Sequence, residues 1–414
     1  MWKNPITYIF FTCVATGQIA AQENAVFADN LKSIQVEVNG EWGSPPVMLL
    51  GGGNFVEVSF DDLQHSYVRY TYRIVHCNAD WTPSDLLESE YLNGFNGNRI
   101  EEYEQSMNTA MEYNHYSVCI PNEDIKLLVS GNYRMDIYED GEDEPVARAC
   151  FSVLEPRVGV DIMVSGNTDI DTNKSHQQLS FHINYQGYQA NNPQEEFKPV
   201  VCQNRRWDNS VSGVRPTYMR MDQLIYSHNR QLIFNAGNEY RRFEILDEHV
   251  PTMRVDRMVY SDPYYHAELF VDEPRRNYVY DEDQDGRYWV RNNDNEMNDT
   301  ESDYFLTHFR LEMPQMAGGE VYLNGELTNN RLSEQYKMEY DLMEHAYKAV
   351  VPLKQGSYNY QYLFVPDGSR MGQTAYTEGD FYQTENEYYV YVYHRAFGTK
   401  YDKLVGFGSL KFSN

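Results

Sequence analysis

Hydrophobic and polar residues alternate with period two along most of this chain. In "YVRYTYRIV", Val68, Tyr70, Tyr72 and Ile74 fall on one face, and Arg69, Thr71 and Arg73 on the other. The same beat runs through "NYRMDIYED", "ARACFSVLE", "VGVDIMVSG", "LSFHINYQ", "RQLIFNAG", "YRRFEIL" and "HAELFV". Successive side chains of a strand point to opposite sides, so this alternation marks half-buried strands. Helical patterning is confined to "SDLLESEYL" and "EDIKLLVSG", each enough for a turn or two. Short strands with regular turn signals predict an all-β chain of three consecutive immunoglobulin-like β-sandwich domains.

Breaks in composition set the expected boundaries. Residues 1–21 read as an export signal, with Lys3 ahead of the short apolar run "ITYIFFTCVATG" and a cut after Ala21. Cys13 lies inside that run, a poor context for lipid attachment, so a secreted, unanchored chain is expected. A lead covers 22–31 and a first sandwich 32–155. Glu155-Pro156-Arg157 reads as a hinge, since proline ends a strand and restricts its neighbour. A second sandwich is expected over 157–300, closing in the polar run "RNNDNEMNDTESD" read as a loop or linker. The third sandwich and a C-terminal tail take 303–414.

Within the third module, "YKMEYDLMEHAYKAVVPL" reads as a hairpin with Tyr347, Ala349 and Val351 on one face. "KQGSYNYQYLFVPDGS" is a strand with Tyr358, Tyr360 and Tyr362 in step, closed by a Pro-Asp-Gly turn. This order of strands and turns resembles the early-set starch-binding module attached to glycogen-branching enzymes. No Trp falls in the stretch, although Trp platforms usually carry sugar stacking. A structural sandwich is therefore expected, with an exported glycan-binding protein as the alternative reading.

Charge narrows the partners. The net charge is −28, and loss of residues 1–21 removes only Lys3, taking it to −29. Such acidity disfavours nucleic acid and anionic membrane surfaces. No stretch beyond the signal is long and apolar enough to insert as a helix. Tyrosine is abundant, 36 residues against 19 Phe and 5 Trp, which suits half-buried sheet faces and protein interfaces. Cys77, Cys119, Cys150 and Cys202 follow the signal without any C-x-x-C spacing; bridges and isolated buried thiols both remain open.

Catalytic patterns do not emerge. Neither H-E-x-x-H nor G-x-S-x-G occurs, and carboxylate pairs carry no weight in so acidic a chain. The one metal-like string is "DEDQDG", with Asp281, Asp283, Asp285 and Gly286 placed as at the start of a calcium loop. The bidentate acid due at its twelfth position is Asn292 instead, so neither metal nor cofactor is expected.

The densest region is residues 70–121, where a long connection holds its own aromatic and amide residues. Long connections of this kind are functional or disordered, and the aromatic content argues for order. Its Asn residues suit turns, and Asn108 with Thr109 is expected to anchor it to the sheet. Trp81, Tyr91, Phe95 and Tyr113, with Tyr401 in the tail, are the candidate partner-binding residues. Trp81 has a second reading, as packing between the connection and its own sheet.

The strings "YRIVHCNADWTPSDL" and "EYLNGFNGNRIEEYEQSMNTAMEYNHYSVCIPNED" resemble the Bacteroidetes type IX secretion system plug protein family. So do "YFLTHFRL" before "GGEVYLNGELTN", and the late string "EGDFYQTENEYYVYVYHRAFGTKYDKLVGF". The resemblance runs in order through nearly the whole chain after the signal. It implies a non-enzymatic periplasmic protein at the inner face of the outer membrane. Its partner would be the translocon barrel, whose periplasmic opening it seals when no cargo is bound.

Overall fold

The computed structural model describes residues 24–64, 66–294 and 296–413. The signal expected over residues 1–21 lies outside them. The protein is all-β. Its α-helices are single turns: Glu88–Tyr91, Pro193–Glu196 and Asn298–Glu301 among the described residues. The first matches one of the two expected helical stretches. The other, "EDIKLLVSG", forms the two-residue strand Lys126–Leu127 instead.

The first sandwich packs two sheets. One runs Ala25–Val26, Pro145–Leu154, Gly131–Glu139, Tyr70–Cys77 and Asn98–Arg99; the other runs Leu31–Val38, Val56–Asp62, Asn114–Ile120 and Glu102–Gln105. The alternation read from the sequence is the reason they close: Tyr70, Tyr72 and Ile74 are buried while Arg73 is exposed. The core gathers Leu31, Val58, Phe60, Ile74, Tyr133 and Met135. Ala25 and Val26 pair with Arg148 and Ala147, so the described part of the expected lead belongs to this sandwich.

The other two sandwiches do not follow the boundary expected near residue 300. Phe197–Gln203 pairs along its length with Asn386–His394, which pairs in turn with Lys403–Phe412. These strands face the sheet of Gly159–Ser165, His176–Asn184, Gln223–Tyr226 and Tyr218–Arg220. Their shared core joins Leu179, Phe181 and Tyr226 to Tyr388, Val390 and Val405. The third sandwich is inserted between these two halves. Arg241–Ile245, Tyr288–Val290 and Gly319–Asn324 all pair with Gly356–Pro366. A second sheet orders Val255–Ser261, Tyr264–Leu269, Tyr304–Glu312, Ala346–Lys354 and Glu339–Asp341. The polar run near residue 300 is thus a loop within one sandwich, because the strands before and after it share a core.

The three units meet through buried polar contacts. Asp61 of the first sandwich receives Lys354 Nζ at 2.8 Å and Tyr304 OH at 2.6 Å. Tyr393 OH of the second donates to Asn132 of the first at 2.8 Å. Arg205 reaches Glu326 of the inserted sandwich at 3.0 Å. Directional bonds of this kind fix the units' mutual orientation, which apolar contact alone would leave looser.

Candidate functional site

The long connection of the first sandwich is built around one asparagine. Asn96 accepts a hydrogen bond from Ile74 N at 2.7 Å and donates its amide to Ile74 O at 3.0 Å. Its side chain therefore takes the place of a strand partner on Tyr70–Cys77. Glu88 holds the same residue from the other side, accepting from Asn96 N at 3.1 Å and from its amide at 3.0 Å. Asn98 then donates to Phe95 O at 3.0 Å. Gly94, with φ +126°, runs so close to the carbonyl of Asp124 that no Cβ fits there. The anchoring expected of Asn108 and Thr109 is done by Asn96; Thr109 Oγ1 donates locally, to Ser106 Oγ at 3.0 Å.

This internally bonded loop lifts Phe95 into solvent at 82% exposure. A second loop is tied beside it. The turn between the last two strands pairs Lys400 Nζ with both oxygens of Glu90 at 2.9 Å. Arg395 reaches Asn78 Oδ1 at 3.4 Å, and the buried Asp402 accepts from Ala79 N at 3.1 Å. Thr399 N closes the turn on Ala396 O at 3.1 Å, with Gly398 at φ +82°. That geometry puts Phe397 at the corner of the turn, fully exposed. Leu87 and Leu128, on segments bonded to the same connection, are 67% and 46% exposed. Together these loops hold several large apolar side chains in the open.

The candidate residues read from sequence separate sharply here. Phe95 lies on the surface, and Tyr401 is half-buried at its edge, its ring meeting His76 edge-on at 5.2 Å. Trp81, Tyr91 and Tyr113 are buried and present nothing to solvent. Trp81 packs between the first and second sandwiches, edge-on to Trp207 at 5.8 Å and beside Cys77 and Cys150. It does so from a left-handed backbone, φ +63°, which is rare for a bulky residue. Tyr91 sits in the first core and donates to Ile74 O at 3.2 Å. Tyr113 reaches across to the inserted sandwich, donating to Ser302 O at 2.8 Å. Phe397 and Leu87 escaped the sequence reading, although an aromatic beside glycine in a turn was a usable signal.

The surroundings are poor in reactive groups. His76 is buried; its Nε2 meets Ser130 O at 3.2 Å and so carries the proton, leaving Nδ1 to accept from Ser84 Oγ at 2.9 Å. Burial pushes it down to about 4, so it is neutral. Burial pushes the Cys77 and Cys202 thiols up to about 12, which keeps them unreactive. Among the described residues no three His, Cys, Asp or Glu converge on a metal position. The aspartates of "DEDQDG" diverge: Asp281 binds Arg242, Asp283 accepts backbone N–H groups, and Asp285 faces Lys411 Nζ at 3.2 Å.

Comparison with known proteins places these features. Residues 31–155, which carry the Asn96 loop, match the family profile of the type 9 secretion system plug protein 1st domain. A crystal structure of a hypothetical protein from Parabacteroides merdae is 46% identical, with a TM-score of 0.93, over 95% of this chain and 100% of that one. The Escherichia coli adhesin FdeC, at 14% identity and a TM-score of 0.18 over 52% of this chain and 60% of that one, is too dissimilar to inform the reading. No match was found among curated proteins. With its first sandwich matched to that profile, this chain belongs to the type 9 secretion system plug protein family.

Proposed function

We propose that this protein is a non-enzymatic plug that closes the periplasmic opening of the type IX outer-membrane translocon barrel when no cargo occupies it. The surface carrying Phe95 and Phe397 would seat against the barrel. The observation behind this reading is that both rings stand in solvent on loops bonded internally and to one another. A rigid anchor loses little freedom on docking, so more of its contact energy appears as affinity. The buried junctions between sandwiches keep the stopper stiff, and the net charge of −28 keeps the unbound protein soluble. Export through residues 1–21 would deliver it to the periplasm. Occupancy of the pore is then a competition between plug and cargo for different states of the barrel.

The test uses two surface substitutions. Phe95→Ser with Phe397→Ser should abolish co-purification with the translocon while leaving the melting temperature within about 2 °C, as befits exposed sites. Cells carrying this variant, or lacking the protein, should admit large antibiotics when cargo is depleted. Unchanged permeability in the deletion strain would refute the plug reading. Intact permeability defects with unchanged binding of the double variant would move the contact elsewhere on the protein.

A further inference from the structure

A different surface opens where the first sandwich meets the inserted one, and it is lined by two tryptophans. Trp42, after strand Leu31–Val38, donates its indole N–H to Tyr288 O at 2.9 Å. This fixes its ring beside Trp289, with centroids 5.9 Å apart and planes inclined by 40°. Both rings remain open to solvent, at 38% and 45% exposure. They border a cleft of about 590 Å³ whose other walls include Gln35, Glu37, Gln284 and Asp299.

Charge decides what such a cleft accepts. Its two arginines are already engaged. Arg242 forks onto Asp281, and Arg291 lies 4.0 Å from Glu244 and 5.4 Å over the Trp289 ring. The carboxylates of Glu37 and Asp299 meet no cation among the described residues. Burial and the neighbouring acids Glu57, Asp299 and Glu326 push Glu37 above the usual carboxylate range. The site is thus short of positive charge, while indole faces attract cations through their quadrupole. Arg291 over Trp289 shows the same attraction at work inside the cleft. The Gln35 side chain also lines the cleft, and its amide can pair with a peptide group beside the cation.

We propose that this cleft is a docking pocket for a cationic side chain, arginine or lysine, presented by an extended peptide segment of a partner protein. The cation would lie against the indoles with Glu37 and Asp299 as its counter-charges, and the walls would pair with the flanking peptide backbone. This pocket is separate from the Phe95–Phe397 surface, and its occupancy does not depend on what that surface binds.

The test titrates the full-length protein with a capped Gly-Gly-Arg-Gly-Gly peptide, followed by calorimetry. The same peptide with citrulline, which keeps the shape and loses the charge, and chitotriose serve as the other two probes. Saturable binding of the arginine peptide is expected, weakening as salt rises. Trp289→Ala and Glu37→Gln should each reduce it at least tenfold. Glu37→Gln preserves shape, so it decides the question if Trp289→Ala fails to fold. Equal binding of the citrulline peptide, binding of chitotriose alone, or no saturable binding of the arginine peptide would overturn the proposal.

Discussion

Lys354 Nζ lies 2.8 Å from Asp61 Oδ2, and the two side chains are 2% and 1% exposed, although they belong to different sandwiches. The same carboxylate receives Tyr304 OH and meets His115 Nδ1 at 2.7 Å, while Lys354 also donates to Asp299 O at 2.6 Å. Taking both charges out of water is costly, so the pair adds little net stability over an apolar pair. Breaking it is another matter, because one charge would remain buried alone. Lys354→Met should cost about 3–5 kcal/mol in chemical denaturation. Adding Asp61→Asn to that variant should recover part of the loss. Burial raises Asp61, but Lys354 and His115 outweigh it and hold the carboxyl below its usual range. A depressed carboxyl stabilises above its unfolded pKa, and this contribution fades as pH falls through the folded value.

A cluster with the opposite sign lies between the second and inserted sandwiches. Asp285 is pushed up to about 7 by burial and then by Asp283 and Glu387. Burial likewise takes Asp283 to about 7, and Glu239 to about 7, with Glu385 and Asp285 adding to the latter. A raised carboxyl contributes its stability below the unfolded pKa and loses it as pH rises through the folded value. The protein should therefore melt higher at pH 6 than at pH 8 at constant ionic strength. Asp285→Asn should shrink that difference. An identical melting temperature at both pH values in the parent protein would show that these carboxyls are not raised.

Trp81 makes the division between fold and site concrete. Trp81→Ala should lose about 3–5 kcal/mol by denaturant titration, since it leaves a cavity between two sandwiches. Phe95→Ala, fully outside the core, should stay within about 0.5 kcal/mol of the parent. Gly94→Ala should unsettle the Phe95 loop, because the added Cβ meets the Asp124 carbonyl. Hydrogen exchange confined to residues near 92–98 would report it.

These residues also show what was legible before the structure. Period-two alternation found strands that have one buried face, such as Tyr70–Cys77, where Tyr70, Tyr72 and Ile74 are buried and Arg73 is exposed. Gly356–Pro366 is buried on both faces, Asn359 and Gln361 being as covered as Tyr358, Tyr360 and Tyr362. The aromatic connection was recognisable as an ordered element. Which of its rings face outward was not, because Trp81 and Phe95 are separated by backbone conformation and not by residue type. Trp81 turns inward from a left-handed φ that no propensity foretells. The anchoring by Asn96 was equally hidden, since it depends on a strand twenty-two residues earlier in the chain. Pairing between Phe197–Gln203 and Asn386–His394 leaves no local trace at all, so sequence alone sets the end of the second sandwich at the polar loop or linker near residue 300.

That long-range pairing makes a prediction about which cuts the fold tolerates. A chain stopped at residue 384 loses both strands that complete the second sandwich. Phe197–Gln203 then has no partner on that side, and Leu179, Phe181 and Tyr226 lose Tyr388, Val390 and Val405 from their core. The second sandwich should be digested by protease although most of its residues are present. Excision of the inserted sandwich is the contrasting case. Asn386 Nδ2 donates to Ala236 O at 2.8 Å, so the chain leaves and re-enters the second sandwich at one place. Replacing residues 238–384 with a short glycine linker should keep the first and second sandwiches folded. The excised contacts are largely polar, such as Arg205 with Glu326 and Lys411 with Asp285, and water can satisfy what they leave behind. Folding of the 384-residue chain together with collapse of the excised one would reverse this assignment of strands to cores. Limited proteolysis read by mass spectrometry distinguishes the two outcomes in a single experiment.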